Sequence, residues 1–105
     1  MDNTYSVIIT TYEHKQEAEA LARMLVDERL AACVQMFPIE SVYFWKDQVR
    51  DGAETVLFIK TKTVLYDQIE AKIKDHHPYE VPEIIQIPIT AGLPEYLDWI
   101  DDSTK

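Results

Sequence analysis

Apolar positions recur along this chain with two different periods, and the switches between them mark out its elements. Residues 4–12, TYSVIITTY, are rich in β-branched and aromatic side chains and predict a first strand. In residues 13–32, EHKQEAEALARMLVDERLAA, the apolar Ala18, Leu21, Ala22 and Leu25 follow the i, i+3, i+4, i+7 spacing of one helical face. Thr10 followed by Glu13 fits a capping box at the start of that helix. ACVQMF and IESVYFW, on either side of Pro38, predict one long strand bent near the proline. Ser41, Tyr43 and Trp45 then share one face, and Val42 and Phe44 the other. KDQVRDG reads as a polar turn, and AETVLFIKT as a third strand that pairs with the second as a hairpin.

In VLYDQIEAKIKDHH, Leu65, Ile69 and Ile73 recur every fourth residue and give a second helix one apolar seam. Pro78 ends it, because the residue before a proline is pushed out of the helical region. EIIQIPIT predicts a fourth strand with Ile85, Ile87 and Ile89 on one face, and Pro88 places it at an edge or near its end. After Gly92, LPEYLDWIDD predicts a short last helix with Pro94 in its first turn and Leu93, Tyr96, Leu97 and Ile100 on one side. The order βαββαβ plus a short C-terminal helix predicts an α+β fold, a ferredoxin-like antiparallel sheet with two helices on one face. The other face needs a cover, since Tyr43, Trp45 and Phe58 are too apolar to expose over a wide area. Self-association is the expected cover.

Length changes this picture little: 105 residues suit a single domain spanning 1–105. Charge narrows the function. Nineteen acidic against ten basic residues give a net charge of −9, which argues against nucleic-acid binding and against an anionic membrane surface. It suits cationic ligands, and equally a solvated acidic surface. One cysteine, Cys33, permits no internal disulfide and suits a reducing compartment. The N-terminal stretch lacks the pattern of a signal peptide, and no apolar run is long enough for a membrane span, so a cytoplasmic location is expected.

The densest chemistry lies in HHPYEVPEI, residues 76–84. A histidine in the last turn of a helix caps free carbonyls and complements the dipole, so His76 and His77 have a plain structural reading. Adjacent helical residues also point apart, unlike the i, i+4 pair of a zinc helix. Pro78 and Pro82 stiffen the segment between them, which builds a corner and also holds Tyr79 and Glu80 in place. Glu80 and Glu83 are close enough in sequence to share a site with the histidines, and imidazole plus carboxylate suits zinc, copper or nickel. Cys33, among small apolar residues, reads as buried and inert. Lys60 reads either as an edge-strand charge or as an anion-binding group, with Tyr43, Trp45 and Tyr79 as pocket walls or plain core. No Gly-rich phosphate loop, GxSxG, HExxH or CxxC occurs in the chain.

Taken together, LAACVQMFPIESVYFWKDQV, ETVLFIKT, HHPYEVPEI and PITAGLPEYLDWI resemble the CutA divalent-cation tolerance proteins, in order and over nearly the whole chain. The resemblance implies a ferredoxin-like subunit in a homotrimer, with strands pairing across subunits and no established enzymatic reaction. It implies binding of copper or another divalent cation, with His76 and Glu83 in the metal-linked positions and His77 and Glu80 as further candidates. It also implies an architecture similar to the PII signalling proteins, with an inter-subunit pocket for a small ligand or partner protein formed by Tyr43, Trp45, Lys60, Tyr79 and Glu80. Some relatives carry a cysteine where this chain has Thr10. That departure removes the soft ligand from a three-ligand copper site. A hydrolase using Glu80 or Glu83 with a metal-bound water finds no supporting motif.

Overall fold

The computed structural model describes residues 4–105. Its elements are β1 (Tyr5–Tyr12), α1 (Lys15–Asp27), β2 (Cys33–Trp45), β3 (Gln48–Lys62), α2 (Tyr66–Asp75), β4 (Ile84–Pro88) and α3 (Pro94–Ser103), with a 3₁₀ turn at Thr63–Leu65 leading into α2. The strands form one antiparallel sheet in the order β2-β3-β1-β4. Alternation places Ile8, Leu57 and Ile59 on one face of it, with Ile8 directly opposite Ile59. Leu21 and Leu25 of α1 and Ile69 and Ile73 of α2 complete a single core cluster with them. Both helices therefore cover the same face, as the ferredoxin-like order requires.

Three local expectations are corrected. The capping box does not form: α1 starts at Lys15, His14 is its N-cap without a side-chain bond, and Thr10 is inside β1. Thr10 is fully buried, and its hydroxyl has no hydrogen-bond partner among the described residues. KDQVRDG is not a turn as a whole. Only Lys46 and Asp47 turn, both with positive φ (50° and 62°), as a two-residue primed hairpin needs. Residues 48–52 belong to β3. The single long strand expected across Pro38 is present: β2 runs through it unbroken, as an edge strand can. Cys33 is half-buried, opposite Lys60 on β3, and not in the core.

The longer hairpin has a structural consequence. β1 reaches only as far as Thr55 on β3, so residues 39–54 continue past the sheet as a two-stranded ribbon. The molecule is elongated, 44 × 28 × 22 Å, and its radius of gyration of 14.3 Å exceeds the roughly 13 Å of a compact chain of this length. Val42, Phe44 and Val49 on the ribbon are 76%, 68% and 75% exposed. On the sheet face away from the helices, Phe37, Ile85 and Ile87 are also exposed. Such apolar area is what an interface covers.

Candidate functional site

The site begins where α2 ends. His76 is the C-cap, and its backbone N–H donates to Ile73 O at 3.0 Å. Its ring turns back on the helix, with Nδ1 2.9 Å from Lys72 O. A carbonyl only accepts, so Nδ1 carries a proton, and in the neutral ring the lone pair is on Nε2. The ring is exposed, and Nε2 has no hydrogen bond among the described residues.

His77 behaves differently. Its half-buried ring stacks on Tyr12, with centroids 4.1 Å apart and planes at 22°. Nε2 lies 2.7 Å from Thr11 O, and Nδ1 accepts the backbone N–H of Tyr79 at 3.2 Å. The first contact demands Nε2–H and the second a bare Nδ1, so the chain specifies one neutral tautomer. Burial lowers the His77 pKa, against the raising effects of the Thr11 carbonyl and of Glu17 and Glu54. With both nitrogens engaged, His77 offers no lone pair to an ion. Its work is to fasten the Pro78–Pro82 corner to β1.

That corner closes one side of a cleft of about 770 Å³, whose other walls come from the ribbon. Tyr43, Trp45, Tyr79 and Glu80, named for an inter-subunit pocket, line this cleft of a single chain together with Glu83, named for a metal, and with Glu54, Ser41 and Thr11, which sequence reasoning did not single out as site residues. Glu54 is the centre of the polar wall. Its Oε1 accepts the Ser41 hydroxyl at 2.7 Å and its Oε2 the Tyr79 hydroxyl at 2.8 Å. Burial raises the Glu54 pKa, but the hydroxyls of Ser41, Tyr79 and Thr11, with nearby His77, outweigh it and the net shift is downward. Glu83 is shifted upward, by desolvation and then by the charge of Glu54. At the mouth, Lys46 Nζ lies 3.9 Å from a Glu80 oxygen and 5.8 Å from the centroid of the Trp45 ring.

Lys60 does not join these residues within one chain. It stands about 20 Å along β3 from Glu54, and its ammonium contacts Tyr96 instead, 3.3 Å from the hydroxyl. Among the described residues no three His, Cys, Asp or Glu side chains converge on a point that could hold a metal ion. His76, His77, Glu80 and Glu83 thus divide between a helix cap, a corner anchor and a cleft wall.

The shifts at His77 and Glu54 have the same sign in stability. For His77 the folded pKa lies below the ordinary 6.5, so its contribution is intact above that value and is lost as pH falls through the lowered one. For Glu54 the loss comes lower, below the ordinary 4.5. Glu83, shifted upward, acts in the opposite sense. Urea midpoints are therefore expected to fall from pH 7 to pH 5, and His77→Gln to flatten that decline. Equal slopes in the two proteins would remove His77 as its cause.

Comparison with known proteins adds a lineage to this geometry. A family model described as CutA1 divalent ion tolerance protein matches residues 6–103. The divalent-cation tolerance protein CutA of Thermus thermophilus is 40% identical over 99 residues, covering 93% of this chain and 96% of that protein. The chloroplastic CutA 1 of rice (Oryza sativa) is 42% identical over 100 residues, but this chain spans only 56% of its length. Among solved structures, the periplasmic divalent cation tolerance protein CutA from Archaeoglobus fulgidus superposes with a TM-score of 0.94 at 36% identity, covering 96% of this chain and 99% of that one.

Proposed function

The chain belongs to the CutA1 divalent ion tolerance family, and from that membership we propose that it is a divalent-cation binding and tolerance protein that acts as a homotrimer and carries no catalytic reaction. His76 is the observation that carries this reading. A metal-ligating imidazole typically donates its second N–H to a carbonyl or carboxylate, which fixes the tautomer and aims the free nitrogen outward. The Nδ1–H bond to Lys72 O and the exposed ring reproduce that arrangement. Glu83 is the carboxylate partner of this reading, Glu80 a further donor, and copper the favoured ion for an imidazole–carboxylate set. The described residues of one chain supply too few converging donors for a closed site, so in this reading further donors come from another copy. The exposed apolar ribbon and open sheet face support such an assembly.

Titration with Cu(II) tests the assignment. His76→Ala is expected to lower the affinity roughly tenfold or more. Equal affinity and stoichiometry in the two proteins would overturn it.

The cleft favours a second reading, a sensor whose small ligand sits between Tyr43, Trp45 and Tyr79. Its volume falls within the range of about 300–1,000 Å³ usual for small-molecule sites. Lys60 takes part in that reading only if another copy brings it to the cleft.

A further inference from the structure

The geometry points to the class of ligand the cleft accepts: a small organic cation, an alkylammonium whose charge faces Glu54 and whose hydrocarbon lies on Tyr43 and Trp45. This rests on the cleft reading; the ion reading shares Glu80 and Glu83 with the cleft, but its imidazole, His76, does not line it.

Three features select that chemistry. First, the walls combine the aromatic Tyr43, Trp45 and Tyr79 with the carboxylates Glu40, Glu54, Glu80 and Glu83, and among the described residues no Lys, Arg or His lines them. A phosphate or carboxylate ligand would meet repulsion there, whereas a cation gains both from the carboxylates and from the negative faces of the rings. Second, the space suits an organic group better than a bare metal ion. The cavity of about 770 Å³ is far larger than an ion requires, and among the described residues no three His, Cys, Asp or Glu side chains converge there to ligate one. Glu54, fixed by hydroxyls at 2.7 and 2.8 Å, still presents its charge to an ammonium group through the field of the carboxylate. Third, the chain already places an alkylammonium at the mouth. The Lys46 side chain approaches both the Trp45 ring and Glu80, the pairing of ring and carboxylate the ligand would use. Both Lys46 and Glu80 are largely exposed, so this contact is weak and readily displaced.

Isothermal calorimetry on the assembled protein tests the proposal with three probes that share one hydrocarbon tail: n-pentylammonium, pentanol and pentanoate. Saturable binding of n-pentylammonium is expected, with pentanol and pentanoate each at least about tenfold weaker. Glu54→Gln, with its fold verified by circular dichroism, and the ribbon variant Trp45→Ala should each weaken n-pentylammonium by about tenfold. Lys46→Gln should tighten it by removing the resident competitor. Equal binding of all three probes, or preference for pentanoate, would overturn the ligand class while leaving the cleft a binding site. No binding of any probe would overturn the cleft reading as well. Binding that emerges only in Lys60→Gln would assign the cleft to a lysine of a second copy and overturn the free-ligand proposal.

Discussion

Ile59→Ala is expected to destabilise the fold by about 3–5 kcal/mol, the range for emptying a fully packed core position. Ile59 is 0% exposed. It sits near the C-terminal end of β3, where that strand is flanked on both sides, opposite Ile8 on β1 and Val34 on β2. Its side chain belongs to the cluster that takes in Leu21 and Leu25 from α1 and Ile69 and Ile73 from α2. Strands fix the backbone on both sides, so the cavity cannot close by a shift of β3 alone. A domain of this kind has only about 5–15 kcal/mol in hand, so the variant should approach the unfolding threshold. Ile59→Val should cost about 1 kcal/mol, and Val64→Ala, at a position 81% exposed, less than about 0.5 kcal/mol. Urea denaturation at one fixed protein concentration measures all three, since any assembly adds a concentration-dependent term. A loss below 1.5 kcal/mol for Ile59→Ala, roughly half the lower bound, would mean that the helices do not pack on this face as described.

That core was legible in the sequence because it follows simple periods. Ala18, Leu21, Ala22 and Leu25 were singled out by helical spacing and are all buried. Ile69 and Ile73 were found in the same way. The ribbon was not legible, because Lys46 and Asp47 lack the Gly or Asn that normally marks a primed turn, yet both adopt positive φ. Reading KDQVRDG as one long turn removed five residues, Gln48–Gly52, from β3 and left the hairpin register undefined. With the two-residue turn in place, Glu54 falls opposite Ile39, one step diagonally from Ser41. The carboxylate at the centre of the cleft follows from that register and could not be found without it. Lys60 shows the converse limit. Residue type and a resemblance placed it in a pocket, but distance along an extended strand keeps it from the cleft of its own chain.

The adjacent histidines could not be ranked from sequence, since both reach the same helix end, and the structure separates them sharply. His77→Ala is expected to cost roughly 3 kcal/mol, from two lost hydrogen bonds of about 1 kcal/mol each and an aromatic stack of about 1 kcal/mol. His76→Ala loses an exposed ring and its bond to Lys72 O, so its cost should stay below about 1 kcal/mol. The difference extends beyond stability. His77 Nδ1 holds the Tyr79 N–H, and the Tyr79 hydroxyl holds Glu54. Loss of the imidazole therefore frees the corner between Pro78 and Pro82, which are exposed and half-buried respectively. Amide hydrogen exchange at Tyr79 should then accelerate in His77→Ala and remain unchanged in His76→Ala. His77→Gln keeps a side-chain amide donor for Thr11 O but loses the stack on Tyr12, so it should recover about 1 kcal/mol of the loss. Similar costs for the two alanine variants, or an unchanged Tyr79 amide in His77→Ala, would mean that the corner is held by its prolines alone. The division of labour within HHPYEVPEI rests on that contrast: one histidine keeps a nitrogen free and outward, and its neighbour uses both nitrogens to shape the cleft wall.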